Sequence, residues 1–271
     1  MGPRSLDCSV RLLTSADIEG VCELSAAAGW NQTPADWERM IALEPLGCFC
    51  IESDDRIAAT TTLLTYGQDL AWVGMVLTHA DYQRRGYARR LVTAALELAA
   101  ARAIDSVKLD ATDQGRPLYA SLGFEDEQPI ERWHRVPAPI DRRLDIPTGP
   151  LPADLDREAF GADRIRFLNA LPLPLVLRNG YAFQRPGSRA NFVGPCVARD
   201  PHTAADLIAA TIATNADASW FWDILPGNQK AIAIARDLGF ERARQLVRMV
   251  RGKNVRGDES MVYAIAGFEA G

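Results

Sequence analysis

No run of about 18 uncharged apolar residues occurs in this 271-residue chain, so no membrane-crossing helix and no membrane partner are expected. Met1 to Leu13 hold no apolar core of signal-peptide length. Charge of one sign is also lacking: 30 Lys and Arg against 35 Asp and Glu leave a formal −5, which does not favour nucleic acid as a partner. Low-complexity tails are absent. Cysteines are few, odd in number and scattered: Cys8, Cys22, Cys48, Cys50 and Cys196. Cys48 and Cys50 form a C-x-C inside an apolar run, where a strand points both to one face. No second pair or nearby His completes a metal set, so buried thiols and no metal are expected. A reducing, cytoplasmic setting fits these absences.

What is present is a large apolar share, 48 % of residues, and a length that suggests two domains. Val10 to Leu13 reads as a strand, Ile18 to Ala27 as a helix behind the capping residues Thr14 to Asp17. Thr33 caps a second helix through Leu43, with Pro34 at its first position. Gly47–Glu52 and Ile57–Tyr66 read as strands joined by a turn, and Leu70–Leu77 as a further strand. Ala88 to Ala101 has Ala88, Leu91, Val92, Ala95, Leu98 and Ala99 on one helical face. Val107–Ala111 alternates as a strand, Pro117–Leu122 is a short helix ended by Gly123, and Phe124 opens another strand.

Pro137, Pro139, Pro147, Pro150 and Pro152 break regular structure and mark a linker over 137–153. The segment after it echoes the one before. Val193-Gly194 matches Val73-Gly74, and Leu238-Gly239-Phe240 matches Leu122-Gly123-Phe124. Gly74 and Gly123 lie 49 positions apart, Gly194 and Gly239 only 45. The halves read as diverged copies of one fold, the second shortened between its landmarks.

The chemistry-bearing segment runs from Trp72 to Leu91. An apolar strand enters a turn, Gln83-Arg84-Arg85-Gly86-Tyr87-Ala88, that feeds the long helix. Gly86 suits a backbone that must curl closely. The first helix amides lack intrahelical acceptors, and with the dipole they make an anion site. Arg84, Arg85 and Arg89 add charge, and a pyrophosphate suits such a pocket. A basic turn with solvated arginines is the alternative.

This segment resembles the GNAT acetyltransferase superfamily. Gln83 to Ala88 is similar to its Q/R-x-x-G-x-G/A loop. Its next motif follows in order: strand Val107 to Thr112, then Arg116-Pro117-Leu118-Tyr119-Ala120-Ser121-Leu122-Gly123-Phe124. The resemblance covers residues 8 to 135. It implies acetyl-CoA as cosubstrate, with backbone of Val76, Leu77 and Thr78 pairing with the pantetheine arm and amides from Arg84 to Arg89 on the pyrophosphate. Gln83, Gly86, Tyr87, Ala88 and Arg116 fall in the same cofactor-binding motifs. It implies a cleft between the strands carrying Val76 and Leu109, the Val76 amide as oxyanion donor, and Tyr119 as the acid that protonates the leaving thiolate. Packing alone is the other reading of Tyr119. No carboxylate lies on the strand before the loop, so the base is open among Asp69, Asp110 and His79. Trp30, Asn31 and Gln32 sit in the connection that lines the acceptor side in this family; a capping loop is the alternative.

In the second half, Gly227-Asn228-Gln229-Lys230-Ala231 before Leu238-Gly239-Phe240 is similar to the family's N-x-x-A…G-F pattern. No Q-x-x-G-x-A follows Val193–Ala198, and Ala235 stands where Tyr119 stands in the first half. The missing residues are expected to come from the phosphate loop.

The expected fold is α/β (mixed α+β): two GNAT-like domains, each a mostly antiparallel twisted sheet with a splayed parallel central strand pair flanked by helices. Residues 1–136 form the CoA-binding domain and 154–271 a degenerate copy. The copy covers the first domain, shapes its acceptor pocket or mediates a homodimer. Residues 1–140 alone are expected to bind CoA with lower stability or turnover. The expected activity is acetyl transfer from acetyl-CoA to a primary amine of a small-molecule acceptor by direct attack. A protein N-acetyltransferase, with the second half docking its target, and a non-catalytic acyl-CoA sensor are the alternatives.

Overall fold

The computed structural model describes residues 9–140 and 144–271; Cys8, most of the N-terminal stretch and linker positions 141–143 lie outside them. The first half runs β1 (Val10–Leu12), α1 (Ile18–Ala27), α2 (Pro34–Leu43), β2 (Cys48–Ser53), β3 (Arg56–Tyr66), β4 (Leu70–Thr78), α3 (Tyr87–Ala101), β5 (Ser106–Ala111), α4 (Arg116–Ser121) and β6 (Glu125–Arg135). The second runs α5 (Ala153–Phe160), α6 (Ile165–Leu168), β7 (Leu175–Leu177), β8 (Gly180–Arg185), β9 (Asn191–Ala198), α7 (Pro201–Ala213), β10 (Trp220–Ile224), α8 (Gln229–Asp237), β11 (Glu241–Gly252) and β12 (Val262–Ala264).

The local signals hold where they are strongest. Thr33 accepts from the Asp36 amide while Asp36 accepts from the Thr33 amide, so α2 starts on a reciprocal cap. Cys48 and Cys50 belong to one apolar cluster, and burial pushes both thiols up to about 12, so they stay protonated.

The pairing of strands departs from two separate sheets. The twelve strands among the described residues form one sheet in the order β1-β2-β3-β4-β5-β11-β6-β10-β9-β8-β7, with β12 added on β9. β11, from the second half, lies between β5 and β6 of the first and is antiparallel to both. β6 in turn pairs with β10 from Trp220↔Arg135 to Ile224↔Glu131. The halves have exchanged strands. Local periodicity sets that a segment is a strand but not which neighbour it takes.

The cores follow the same interlock. One cluster packs α3 on the first half and another packs α7 and α8 on the second. The largest is shared: Trp37, Tyr66 and Trp72 belong with Phe167, Tyr181 and Phe183. The described ends of the proline-rich connection are held by contacts on both sides. Arg135 donates to the Ala138 and Pro139 carbonyls, and Thr148 bridges Leu175. Among the described residues no helix is long and apolar enough to cross a membrane.

Candidate active site

β4 and β5 are parallel but pair only at Ala71↔Val107 and Trp72↔Lys108. Beyond Trp72 they separate. On its other side β4 stays paired with β3, with a bulge: Thr62 faces Gly74 and Thr60 faces Leu77, so Met75 and Val76 stand opposite Thr61 alone. Met75 takes a φ of +49°, and the Thr60 hydroxyl donates to its carbonyl at 2.8 Å. The bulge and the splay together leave the β5-facing backbone edge of β4 without a strand partner. Val73 to Val76 line the opening; Leu77 and Thr78 continue the edge toward the loop, half-buried.

Residues 79–86 join β4 to α3. Arg84 and Gly86 both take left-handed backbone, φ +61° and +81°. Gly86 is the N-cap of α3 and offers no side chain to its first amides. The helix begins its own bonding with Arg90 N–H donating to the Gly86 carbonyl at 3.1 Å. The Ala88 and Arg89 amides find no backbone acceptor among the described residues, which suits an anion. Nothing lies within 4 Å of where a Gly86 side chain would start, so the glycine answers the φ angle and not crowding by the protein. Gln83 and Arg84 are exposed. Arg85 donates to the Asp81 carbonyl (3.0 Å) and stacks over Tyr82, and Arg89 donates to the Ser121 hydroxyl (2.7 Å). Tyr87 is buried in the α3 core.

The opening between β4 and β5 leads into a cavity of about 500 Å³. Six residues expected at the site line it together: Trp30, Asn31, Gln32, Val76, Asp110 and Tyr119. Tyr119 reaches it from α4, edge-on to Phe124 at 6.1 Å. Burial raises the pKa of its phenol, so the group stays protonated.

Other expectations need correction. Asp110 is no free base or acceptor ligand: Arg248 Nε and Nη2 donate to its two oxygens at 2.9 and 3.1 Å. Burial raises its carboxyl pKa while Arg248 opposes the shift. Asn31 is committed to the protein as well. Its amide donates to the Ala190 carbonyl (2.9 Å) and accepts from the Arg189 and Ala190 amides, clasping the β8–β9 loop. Gln32 reaches Glu269 at 3.4 Å. Arg116 does not line the cavity; its guanidinium is paired with Asp126 on β6. Asp69 is exposed at the far end of β4, and His79 caps a turn by accepting from the Asp81 amide.

Much of the cavity wall comes from residues the motifs do not mark. Arg132 and His134 come from β6, Arg189 from the β8–β9 loop, Phe221 from β10, Ala243, Arg244 and Leu246 from β11, and Phe268 and Glu269 from the segment after β12. Arg185 donates to Glu269 at 2.5 Å. His134 packs on Phe221, ring centres 5.2 Å apart. Strand exchange brings these residues here, and no local pattern in the sequence marks it.

Two family models match the chain in tandem: the acetyltransferase (GNAT) family over residues 19–124 and an acetyltransferase (GNAT) domain over 153–264. The chain belongs to the GNAT acetyltransferases. An uncharacterized N-acetyltransferase, YitH of Bacillus subtilis, is 26 % identical over 214 residues, covering 70 % of this chain and 73 % of its own. The crystal structure of a proposed acetyltransferase from Pyrococcus horikoshii superposes with a TM-score of 0.86 over 97 % of this chain and 95 % of its own, at 24 % identity. A tandem GNAT protein from the clavulanic acid biosynthesis pathway superposes at 0.61, with 16 % identity over 90 % and 98 % of the two chains. The present protein is thus a tandem GNAT acyltransferase in fold and family.

The two GNAT domains differ at the places that matter. In the second, β9 and β10 are also parallel, pairing at Trp220↔Asn191, Phe221↔Phe192 and Trp222↔Val193. Here the chain fills the opening itself. β12 pairs with β9 at Val262↔Val197 and Ala264↔Cys196, and Ile265 N–H donates to the Asp223 carbonyl on β10 at 3.1 Å. Aligned on the two glycines, Cys196 and Val197 stand where Val76 and Leu77 stand in the first domain. The loop before α7 is only Arg199 and Asp200, against residues 79–86 in the first domain. Asp200 caps α7, accepting from the Thr203 amide at 2.9 Å, so a carboxylate already holds the anion position.

Proposed function

We propose that the first GNAT domain alone binds acetyl-CoA and transfers the acetyl group to the primary amine of a small molecule. The observation that carries this reading is the contrast between the domains. One has an unpaired β4 edge beside an uncapped helix start; the other has both positions taken by its own residues. The cavity size falls in the range of small-molecule sites. Phe221, Arg244 and Phe268, all from the second half, form part of its wall, which supports a small acceptor over a protein segment.

The donor supplies a thioester carbonyl and a thiolate leaving group. The Val76 amide at the bulge is the donor that would hydrogen-bond the carbonyl oxygen as charge develops on it. Tyr119, held protonated by burial, donates its proton to the departing sulfur. Among the cavity's titratable groups, Asp110 and Glu269 are locked by arginines, which leaves His134 to take the proton from the amine.

Calorimetry is expected to give one acetyl-CoA site per chain. Gly86→Ala should weaken binding about tenfold, because a non-glycine residue at φ +81° costs about 1–2 kcal/mol or shifts the loop amides. Two equivalent sites would remove the one-domain reading, and unchanged affinity in the variant would remove the loop from the cofactor site. Tyr119→Phe keeps the ring and removes the proton. It should lower kcat about 10- to 1,000-fold with little change in acetyl-CoA affinity, the lower part of the general-acid range. An unaltered kcat, where the chemical step limits the rate, takes Tyr119 out of the mechanism.

A further inference from the structure

The acceptor end of the cavity is cationic in a way the fold itself does not require. Arg132 on β6 and Arg244 on β11 are direct cross-strand neighbours. Like charges in that position repel. Arg132 is compensated: its Nε and Nη2 donate to Asp223 at 2.7 and 2.6 Å. Arg244 is not. Among the described residues no carboxylate lies within ion-pair distance of it, and it opens to the cavity. Both guanidinium groups are nevertheless fixed in place. They stack on the same ring, Phe268, with Arg132 at 4.4 Å and Arg244 at 5.0 Å from its centre. A third arginine, Arg189, lines the same cavity. Its Nη1 is anchored on the Gly29 carbonyl at 2.7 Å, and it too has no carboxylate partner among the described residues.

The carboxylates nearby offset this only in part, Asp223 and Glu269 both acting to raise the Arg244 pKa. Asp110 is bound by Arg248 and Glu269 by Arg185. Arg244 is exposed on the cavity wall; partial desolvation there, and after it the Arg132 charge, lower its guanidinium pKa. Arg244 thus stands directly across from a second arginine with no carboxylate in ion-pair contact, a place an incoming anion can occupy. Arginine pre-oriented by aromatic stacking presents a planar fork to oxyanions. The pyrophosphate does not serve this end, since its loop lies at the start of α3, outside the cavity lining.

We infer that the acceptor amine carries an oxyanion group, a carboxylate or a phosphate, and that Arg244 with Arg189 binds it. The inference rests on acetyl transfer in the first domain and adds the substrate class. A free amino acid and an aminoalkyl phosphate are the two sources of this chemistry. Neutral amines and polyamines are disfavoured by the same charges. Arg244 and Arg189 are specificity residues: they hold the acceptor and leave the transfer chemistry to other groups.

Matched pairs decide it. Thiol release from acetyl-CoA is measured with the standard amino acids against their carboxamides, and with ethanolamine phosphate against ethanolamine. Binding of the same compounds to the full-length protein, with and without acetyl-CoA, is measured by calorimetry. The expected result is at least a tenfold preference, in kcat/KM or in affinity, for the anionic member of one pair series; which series responds names the source. Arg244→Gln should raise KM or Kd for that compound about 10- to 100-fold, with kcat changed less than about threefold and acetyl-CoA affinity unaltered. Arg244→Lys should recover part of the loss. Neutral amines handled as well as their anionic partners, or an Arg244→Gln variant with unchanged KM and Kd, overturn the inference. So does the absence of binding by every anionic compound when acetyl-CoA binds normally. Failure of acetyl-CoA to bind overturns the transfer reaction instead, and the calorimetry on the protein alone still decides the anion site.

Discussion

Residues 1–140 produced alone are expected to lack a cooperative melting transition and to collect in the insoluble fraction. β5 and β6 are parallel strands whose hydrogen-bonding edges both face β11, so removing it opens a gap one strand wide. Each strand spacing is about 4.8 Å, and the remaining strands cannot close a gap of roughly 10 Å without rebuilding the sheet. The loss includes Leu246, Met249 and Val250, all buried, each contributing about 1.5–3 kcal/mol on burial. Tyr66 and Trp72 also lose the carbonyls of Ala270 and Phe268 to which they donate. These losses are of the same size as the roughly 5–15 kcal/mol by which a domain is stable. Supplying residues 144–271 as a second chain should restore a single melting transition. A 1–140 fragment that melts cooperatively near the full-length temperature, or binds acetyl-CoA normally, contradicts this. The sequence-based expectation that this fragment keeps its cofactor site treats the first half as a closed sheet, and the exchange of β11 removes that premise.

Arg248→Ala is expected to destabilise the protein by about 3–5 kcal/mol, the usual range for breaking a buried pair from one side. Arg248 sits on β11 and its bidentate partner Asp110 on β5, with Trp72 stacked under the guanidinium at 4.5 Å. The change leaves the Asp110 carboxylate without its ion-pair partner, near the like charges of Asp223 and Glu127. Its pKa, already raised by burial in the intact protein, rises further once the opposing Arg248 charge is gone. A carboxyl whose folded pKa lies above its unfolded one binds its proton first in the folded state. Stability then falls as pH rises through the folded value and recovers as pH drops. The deficit should therefore be largest near neutral pH and shrink on mild acidification. Asp110→Asn, which removes the charge and keeps the shape, should be milder than Arg248→Ala. Denaturant melts of both variants across pH check this. A deficit below about 1 kcal/mol, or one that grows on acidification, shows that the pair does not bridge β5 and β11 as described.

The turn proposed to hold the cofactor was legible as a turn because its signals are local. Gln83 to Ala88 contain the turn, the helix start and the glycine in one stretch, and the structure puts a left-handed backbone and an uncapped helix there. Tyr119 was legible for the same reason. The shortened second copy was legible by counting: the loss falls between β9 and α7, as expected. The filling of its cleft by β12 was not, since Val262 to Ala264 carry no signal beyond being apolar. The acceptor wall was largely illegible. Trp30, Asn31 and Gln32 were found, but Asn31 turns out to tie two loops together. Arg132, Arg189 and Arg244 read as ordinary surface arginines because their meeting depends on contacts between residues more than fifty positions apart.

The position of β11 also sets a schedule for making the molecule. The ribosome finishes β6 at residue 135 and reaches β11 only at residue 241. At ~5–20 residues per second that interval is roughly 5–21 s. Throughout it, β5 and β6 of the nascent first domain carry unpaired strand edges, the kind of surface on which neighbouring chains aggregate. Its acceptor cavity has no far wall until those last segments emerge. An mRNA truncated before β11 therefore encodes no half-active enzyme but a chain with open edges, and the acetyl-transfer site comes into being only when synthesis is nearly over.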